Sequence, residues 1–288
     1  MKILIWGFQV NPEIHSSVID LIARLKNSDH AVCILDSFAE AIELKNNIEH
    51  IKKDAVPDNI DLILSIGGDG TLLSAAQSVM KRPIPILGVN LGSLGFLTGL
   101  ERDWRSNIED ILAGHYTVEE RMVLNCRKMN MAGVEETFWG LNDIVIERGE
   151  HFDMMVMKVQ VNGQYLNTYS ADGLVISTPT GSTAYNLASG GPILDPGLDA
   201  IIITPISPHT LSVRPIVLPA EARIEISLTK QNQKGRVYID GKVWRPISSE
   251  DRLRIRTSSY RIKLVTIPGL TFYDKLREKF HWGRRSSL

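Results

Sequence analysis

Apolar and polar positions follow two different rhythms along this chain. Up to about residue 115, short apolar runs alternate with segments whose apolar residues recur every three or four positions. Ile3-Leu4-Ile5-Trp6 reads as a first strand. Behind it, Asn11 is placed to cap a helix, Pro12 suits its first position, and Ile14, Val18, Leu21, Ile22 and Leu25 fall on one face. Ala31 to Leu35 predicts a second strand, Phe38 to Leu44 a helix and Leu62 to Ile66 a strand. Thr71 to Lys81 predicts a helix with Leu72, Leu73, Ala76 and Met80 at helical spacing, and Pro83 to Val89 a further strand. Unbroken apolar strands separated by helices imply a parallel sheet. Trp104, Ile108, Ile111 and Leu112 give a last amphipathic helix before Gly114.

Beyond that point strands follow strands. Tyr116 to Lys128, Thr137 to Glu147 and Met154 to Val161 are strand-like, and Asn162-Gly163 is a strong hairpin turn leading into Gln164 to Ser170. Shorter candidates are Leu174 to Ser177, Ala200 to Thr204, Arg223 to Leu228, Arg236 to Ile239 and Arg252 to Arg256. The expected division is therefore an α/β domain over 1–115, a β-rich domain over 116–265, and a tail over 266–288. In the tail Phe272, Leu276 and Phe280, spaced by four, predict a helix packing back on the first domain.

Composition narrows the partners. With 288 residues, 43% hydrophobic, the chain can build more than one core. Its 32 basic and 33 acidic residues give a net charge of -1, so nothing suggests a nucleic-acid surface, and small molecules are the expected partners. Cys33 and Cys126 stand far apart, outside zinc or disulfide spacing, which fits a reducing, cytoplasmic setting with both thiols in the core. The opening apolar run is too short for a secretory signal, and no segment reads as membrane-spanning. No histidine has metal-ligand spacing, and His209 beside Pro208 reads as structural. Neither a G-x-x-x-x-G-K-[ST] loop nor G-x-G-x-x-G is present, which excludes the usual signatures of P-loop ATPases and Rossmann dehydrogenases.

The run Ser65-Ile66-Gly67-Gly68-Asp69-Gly70-Thr71 carries the chemistry, since it sets a carboxylate among glycines between a buried strand and a helix. Glycines let backbone approach an anion, and a helix start attracts one, so phosphate is the expected guest of Gly67, Gly68, Gly70 and Thr71. Asp69 would repel that guest unless it accepts a proton from a nucleophile or shares a metal ion with the phosphates. Both exceptions point to phosphoryl transfer, whereas the plainer reading is a glycine turn in a doubly wound domain. From Gly173 to Ile203 there is no lysine or arginine, yet Ser177, Thr178, Thr180, Ser182 and Thr183 crowd a strand-to-helix junction. Uncharged hydrogen bonding there suits a ribose or an amide; the plainer reading has the hydroxyls capping a helix near Ser182. Asn142-Asp143 can grip a ribose diol or form a turn. Phe96, at the carboxyl end of its predicted strand, can stack on a base or pack between domains.

Taken in order and spacing, GGDGT at 67–71, NLGSLGFLT at 90–98, Asn142-Asp143, DGLVISTPTGSTAYNLASGGPI at 172–193 and PHTLSVRP at 208–215 closely resemble the bacterial NAD kinase family, over essentially the whole chain. GGDGT alone is shared with diacylglycerol and sphingosine kinases; the 172–193 segment is far more discriminating. The resemblance implies an N-terminal α/β domain with a parallel sheet, a β-rich C-terminal domain of two sheets, a site between them, and a homo-oligomer, dimer or tetramer. It implies transfer of the γ-phosphoryl group of ATP to the 2′-hydroxyl of the adenosine ribose of NAD, a phosphotransfer to an alcohol, with a divalent cation, Mg2+, held mostly by phosphates and water rather than by a protein cage. Asp69 corresponds to the proton acceptor. Asp69, Gly70, Phe96, Asn142, Asp143, Asp153, Asp172 and the run Thr183, Ala184, Tyr185, Asn186, Leu187, Ala188 correspond to the dinucleotide site. Two departures stand out: Tyr169-Ser170-Ala171 replaces a basic residue found before the DGL motif in many relatives, and Glu150-His151-Phe152-Asp153 differs in its histidine placement. A lipid kinase of the GGDGT superfamily would need an apolar cleft, which the polar 177–183 run opposes; a non-catalytic dinucleotide sensor would have no use for Asp69.

Overall fold

The computed structural model describes residues 1–8, 12–44, 48–90, 92, 95–100, 104, 107–130, 132–149, 153–267 and 269–283. The expected cap Asn11, the Ile14 side chain, Leu91, Ser93, Leu94, the 150–152 stretch and the basic end at Arg284 and Arg285 lie outside the described residues. The chain divides into two compact units, Met1–Glu120 with Ile262–Leu288, and Arg121–Arg261.

In the first unit, β1 (Lys2–Trp6), α1 (Pro12–Lys26), β2 (Ala31–Leu35), α2 (Asp36–Ala41), β3 (Glu49–Ile51), β4 (Leu62–Ile66), α3 (Asp69–Ser78), β5 (Ile86–Val89) and α4 (Ile108–Leu112) follow one another. The strands lie in the order β3-β2-β1-β4-β5, all parallel. Every residue of β4 and β5 is buried, which is why these strands read as unbroken apolar runs rather than alternating ones. Val18, Leu21, Ile22 and Leu25 of α1 are fully buried. The β3 strand escaped the pattern because only one of its three residues is apolar. The order reverses between β1 and β4, the place where open α/β sheets form ligand crevices at the carboxyl ends of their strands.

The second unit contains β6 (Thr117–Met129, entering from the first unit), β7 (Glu135–Gly140), β8 (Asp143–Arg148), β9 (Met155–Val161), β10 (Gln164–Ala171), β11 (Gly173–Ser177), α5 (Tyr185–Ala188), β12 (Ala200–Ile206), β13 (Ile216–Pro219), β14 (Ile224–Leu228), β15 (Lys234–Ile239), β16 (Val243–Ser248) and most of β17 (Arg252–Thr266). One antiparallel sheet runs β13-β12-β11-β8-β15-β16, and the other joins β10-β9-β14-β17, with β6 pairing β17 and β7. Alternate residues of both sheets, among them Ile144 and Ile146, Met155 and Met157, Leu174 and Ile176, Leu253 and Ile255, make one buried core. The β9-β10 turn has Asn162 at φ 52° and Gly163 at φ 79°, the left-handed pair that an Asn-Gly hairpin requires.

Thr137 to Glu147, expected as one strand, is two: the chain turns at Leu141-Asn142 between β7 and β8. At its far end β17 lies parallel to β5, with Leu264 beside Ile86. The chain closes with α6 (Phe272–Phe280), whose start is a capping box: the Thr271 hydroxyl accepts from the Asp274 amide, and the Asp274 carboxylate accepts from the Thr271 amide. Cys33 and Cys126 are buried thiols, raised by that burial to about 11 and about 12. No helix among the described residues is long and apolar enough to cross a membrane.

Candidate functional site

In the first unit the loop after β4 is shaped by Gly67, which has φ +142° and whose missing Cβ would stand 2.5 Å from Thr71 Oγ1. Its amide donates to Val89 O at 2.9 Å, tying the loop to β5. Gly68 is the N-cap of α3; no side chain caps that helix start, and a Cβ on Gly68 would meet nothing within 4 Å. No side-chain oxygen thus competes with an anion at the positive end of the helix. Asp69 is the first residue of α3, two positions earlier than the apolar periodicity suggests.

The Asp69 carboxylate is held from the neighbouring loop. Oδ2 accepts the Phe96 amide at 2.9 Å and Oδ1 accepts the Leu97 amide at 3.0 Å. This approach needs Gly95, since a Cβ there would stand 2.1 Å from Asp69 Oδ1. Two oriented N–H dipoles offset part of the carboxylate's charge, so Asp69 sits beside a phosphate-binding helix start with less repulsion than its formal charge implies. The same loop is clamped by α6: buried Lys275 donates from Nζ to Phe96 O at 3.0 Å and Thr98 O at 2.7 Å. The Phe96 ring stands 5.8 Å from that of Phe280 and 6.4 Å from that of Phe272, with Lys279 Nζ 5.2 Å from its centroid. The side chain expected to stack on a base is therefore engaged by α6.

In the second unit a hollow of about 330 Å³ is lined by Asn142, Asp143, Glu147, Tyr185, Tyr238 and Asp240, among others. That volume is at the low end for small-molecule pockets and suits one part of a dinucleotide. Asp240 builds it. At φ 49°, its carboxylate accepts the amides of Leu141 at 3.0 Å, Asn142 at 2.7 Å and Asp143 at 3.2 Å, and so bends the chain where a single strand was expected. Asp143 is 4% exposed. Burial first, and the Asp240 charge second, raise its carboxyl to about 7. Near neutrality Asp143 thus offers a hydrogen as well as a lone pair. Asn142 Oδ1 is buried with no hydrogen-bond partner among the described residues. The Tyr185 hydroxyl donates to Glu147 Oε1 at 2.8 Å, and burial, ahead of that bond, raises the phenol to about 12. Asp240 was missed in the sequence, although Asp240-Gly241 between two strand-like runs is itself a hairpin signal.

The 172–193 segment does something other than its composition suggests. Ser177, Thr178 and Ser182 are fully buried, and their hydroxyls bond inward: Ser177 to Asn142 O and Thr178 O, Thr178 to Leu141 O and Asn142 O, Ser182 to Leu194 O. They stitch the loop to the 141–142 turn rather than facing a ligand. Nor do they cap a long helix, because a 3₁₀ turn at Thr180–Thr183 and the four-residue α5 follow, neither with a side-chain cap. Asn186, expected to touch the dinucleotide, is wholly buried, donating to Ser182 O and Pro192 O and accepting from Thr204 Oγ1. Thr183, Ala184 and Leu187 are half-buried, while Tyr185 and Ala188 are exposed. Asp172 pairs with Arg148 at 3.3 Å, and exposed Asp153 with Lys230 at 3.1 Å.

The family profile described as the ATP-NAD kinase N-terminal domain matches residues 20–116, and that of the ATP-NAD kinase C-terminal domain matches 141–267. The chain is 39% identical over 266 residues to the NAD kinase of Magnetococcus marinus, covering 92% of this chain and 88% of that protein. It is 44% identical over 236 residues to the NAD kinase of Geotalea daltonii, covering 81% and 83%. A similar fold is seen in yeast NADH kinase complexed with NADH, at TM-score 0.89 and 24% identity over 100% of this chain and 89% of that one. It is seen again in an NAD kinase from Archaeoglobus fulgidus in complex with ATP, at TM-score 0.74 and 23% identity over 98% and 99%. A glycine loop with a tethered aspartate, a buried Asp143-Asp240 pair, and profile matches in both halves of the sequence converge, and the chain belongs to the ATP-NAD kinase family.

Proposed function

We propose that this chain transfers the γ-phosphoryl group of ATP to the 2′-hydroxyl of the adenosine ribose of NAD, giving NADP. The observation that carries the reading is Asp69, held by two amides at the uncapped start of α3. A ribose hydroxyl is a weak nucleophile, and phosphoryl transfer has a loose transition state, so positioning and charge neutralisation contribute more than basicity. Gly67, Gly68, Gly70 and Thr71 bind phosphate through backbone, and Asp69 takes the hydroxyl proton late, as the bond to phosphorus forms. Its two amide partners leave each carboxylate oxygen a free lone pair for that proton. A magnesium ion bound with ATP would supply charge neutralisation at the phosphates. Asp69, a single carboxylate at the helix start, suits an ion that keeps its bond to water and substrate, and no group of three or more acidic, His or Cys side chains forms a cage among the described residues.

The β-rich unit grips the dinucleotide. Asn142 Oδ1 awaits a donor, Asp143 can donate or accept, and Tyr185, Asp153, Asp172 and the backbone of 183–188 complete the polar surround. The enzyme works in the cytoplasm as a homo-oligomer. The test is direct: purified protein with ATP, magnesium and NAD should form NADP. Phosphorylation of diacylglycerol without NADP formation would replace this reading with the lipid-kinase one.

A further inference from the structure

A cavity of about 420 Å³ lies wholly in the β-rich unit, and none of the residues assigned above lines it. Arg127, Arg223, Arg254 and Arg256 converge on it, with Glu225 the one carboxylate among its described lining residues. The face is built by strand alternation: Leu253 and Ile255 of β17 point into the core, so Arg252, Arg254 and Arg256 point out. Two of the four guanidiniums are neutralised, Arg254 by Glu225 at 2.9 Å and Arg127 by Glu135 at 3.3 Å. Arg223 and Arg256 have no carboxylate partner among the described residues. In the β14-β17 register Ile224 faces Ile255, and one step further Arg223 comes opposite Arg256. Like charges directly opposite on neighbouring strands destabilise a sheet. In a chain of net charge -1, four arginines round one hollow are a segregated charge that composition cannot reveal.

We propose that this hollow is a second anion site, taking a compact ligand with two or more phosphoryl groups. Planar guanidinium forks match phosphate oxygens in pairs, and an anion between Arg223 and Arg256 turns their repulsion into two charge-assisted contacts. Nearly buried Asn125 and the Gln160 amide in the wall add uncharged polar groups, while Ile224 and Ile255, whose side chains enter the core, present their backbone between the arginines. The volume falls in the small-molecule range. None of its described lining residues is aromatic, and they offer no stacking platform of the kind a single-stranded nucleic acid would use.

The test uses full-length protein and inorganic tripolyphosphate in metal-free buffer, at about 0.15 M salt to screen diffuse attraction. Because the GGDG loop also invites phosphate, binding is followed through the backbone amide resonances of Ile224 and Ile255 rather than by total heat alone. Those signals should shift and saturate. The Arg223→Gln/Arg256→Gln double variant should weaken that response by at least about tenfold, whereas Arg252→Gln, equally charged on the same strand but outside the cavity, should leave it within about twofold. NADP formation by the double variant should match wild type without the probe, which shows that it is folded. Unmoved Ile224 and Ile255 signals, or equal losses in the double variant and in Arg252→Gln, would overturn the site. Tighter binding of a single-stranded oligonucleotide than of tripolyphosphate would overturn the ligand class.

Discussion

Replacing Asp69 by Asn separates chemistry from architecture only in part, and the geometry says by how much. Both carboxylate oxygens accept an amide hydrogen, from Phe96 at 2.9 Å and Leu97 at 3.0 Å. Asparagine supplies one acceptor and turns an NH₂ toward the other amide, so one bond to a charged group is lost and one N–H is left without an acceptor. Hydrogen bonds to charged groups contribute about 1.5–3 kcal/mol each, so the 95–98 loop should loosen by about that much. In a unit of this size each kcal/mol moves the melting temperature by about 2–4 °C, and a drop of several degrees is expected. The rate should fall further. Losing general-base assistance costs about 10²–10⁴-fold, or roughly 3–5 kcal/mol of barrier, more than loop loosening alone accounts for. ATP affinity should hold or rise, because a negative charge beside the phosphates is gone. The assay is NADP formation under saturating ATP and NAD, with calorimetric melting alongside. If the change acts chiefly by removing a metal partner, raising magnesium should restore much of the rate. Turnover near wild type at ordinary magnesium, with an unchanged melting temperature, would refute both the proton-acceptor role and the tether.

Three further outcomes follow from the same contacts. Gly95→Ala puts a Cβ where Asp69 Oδ1 now lies, 2.1 Å away, so kcat should fall by about tenfold or more without any change at Asp69 itself; an active, equally stable variant would show that the loop yields at little cost. Lys275→Met leaves Phe96 O and Thr98 O without their ammonium donor, and should lower kcat several-fold with KM for NAD nearly unchanged, Lys275→Arg restoring part of it; a fall in KM affinity alone would argue against positioning through the loop. For Asp143, the ordinary carboxyl value of 3.8 is raised to about 7 in the fold, so between those values the native state holds a proton that the unfolded chain has lost. The group's contribution to stability therefore declines as pH rises from about 4 to about 7 and is flat above. Asp143→Asn, which never ionises, should gain on wild type by about 1–4 kcal/mol between pH 5 and pH 8. Melting temperatures of both proteins across that range check it, and a constant gap would mean that Asp143 ionises normally.

How much of this was legible in the sequence depends on how local the determining physics is. β2 and β4 match their expected limits because a buried parallel strand is an apolar run closed by polar neighbours. The Asn162-Gly163 turn was legible because two adjacent left-handed residues have few alternatives. The two thiols were expected in the core and are there. Boundaries slipped where a non-local partner sets them: α3 begins at Asp69 because the 96–97 amides hold that side chain, and β7 ends before β8 because Asp240, about a hundred residues later, gathers three consecutive amides. The hydroxyl-rich 177–183 run shows the opposite failure. Its composition is that of a ligand surface, but the same hydroxyls satisfy buried backbone carbonyls, and sequence alone does not state which partner a hydroxyl meets.

The sequence by itself determined the change from alternating strands and helices to a run of strands, the glycine loop with its single carboxylate, and the family, because these rest on short-range pattern and on motif spacing. Only the tertiary structure decided what each side chain faces. It turned Asp69 toward two amides, engaged Phe96 with the rings of α6, and drew Asn186 inside. It buried Asp143 against Asp240 and gathered Arg127, Arg223, Arg254 and Arg256 round one hollow in a chain of nearly balanced charge. The reason is that charge, burial and hydrogen-bond supply at a site are sums over residues far apart in the chain, and the fold chooses which residues enter each sum.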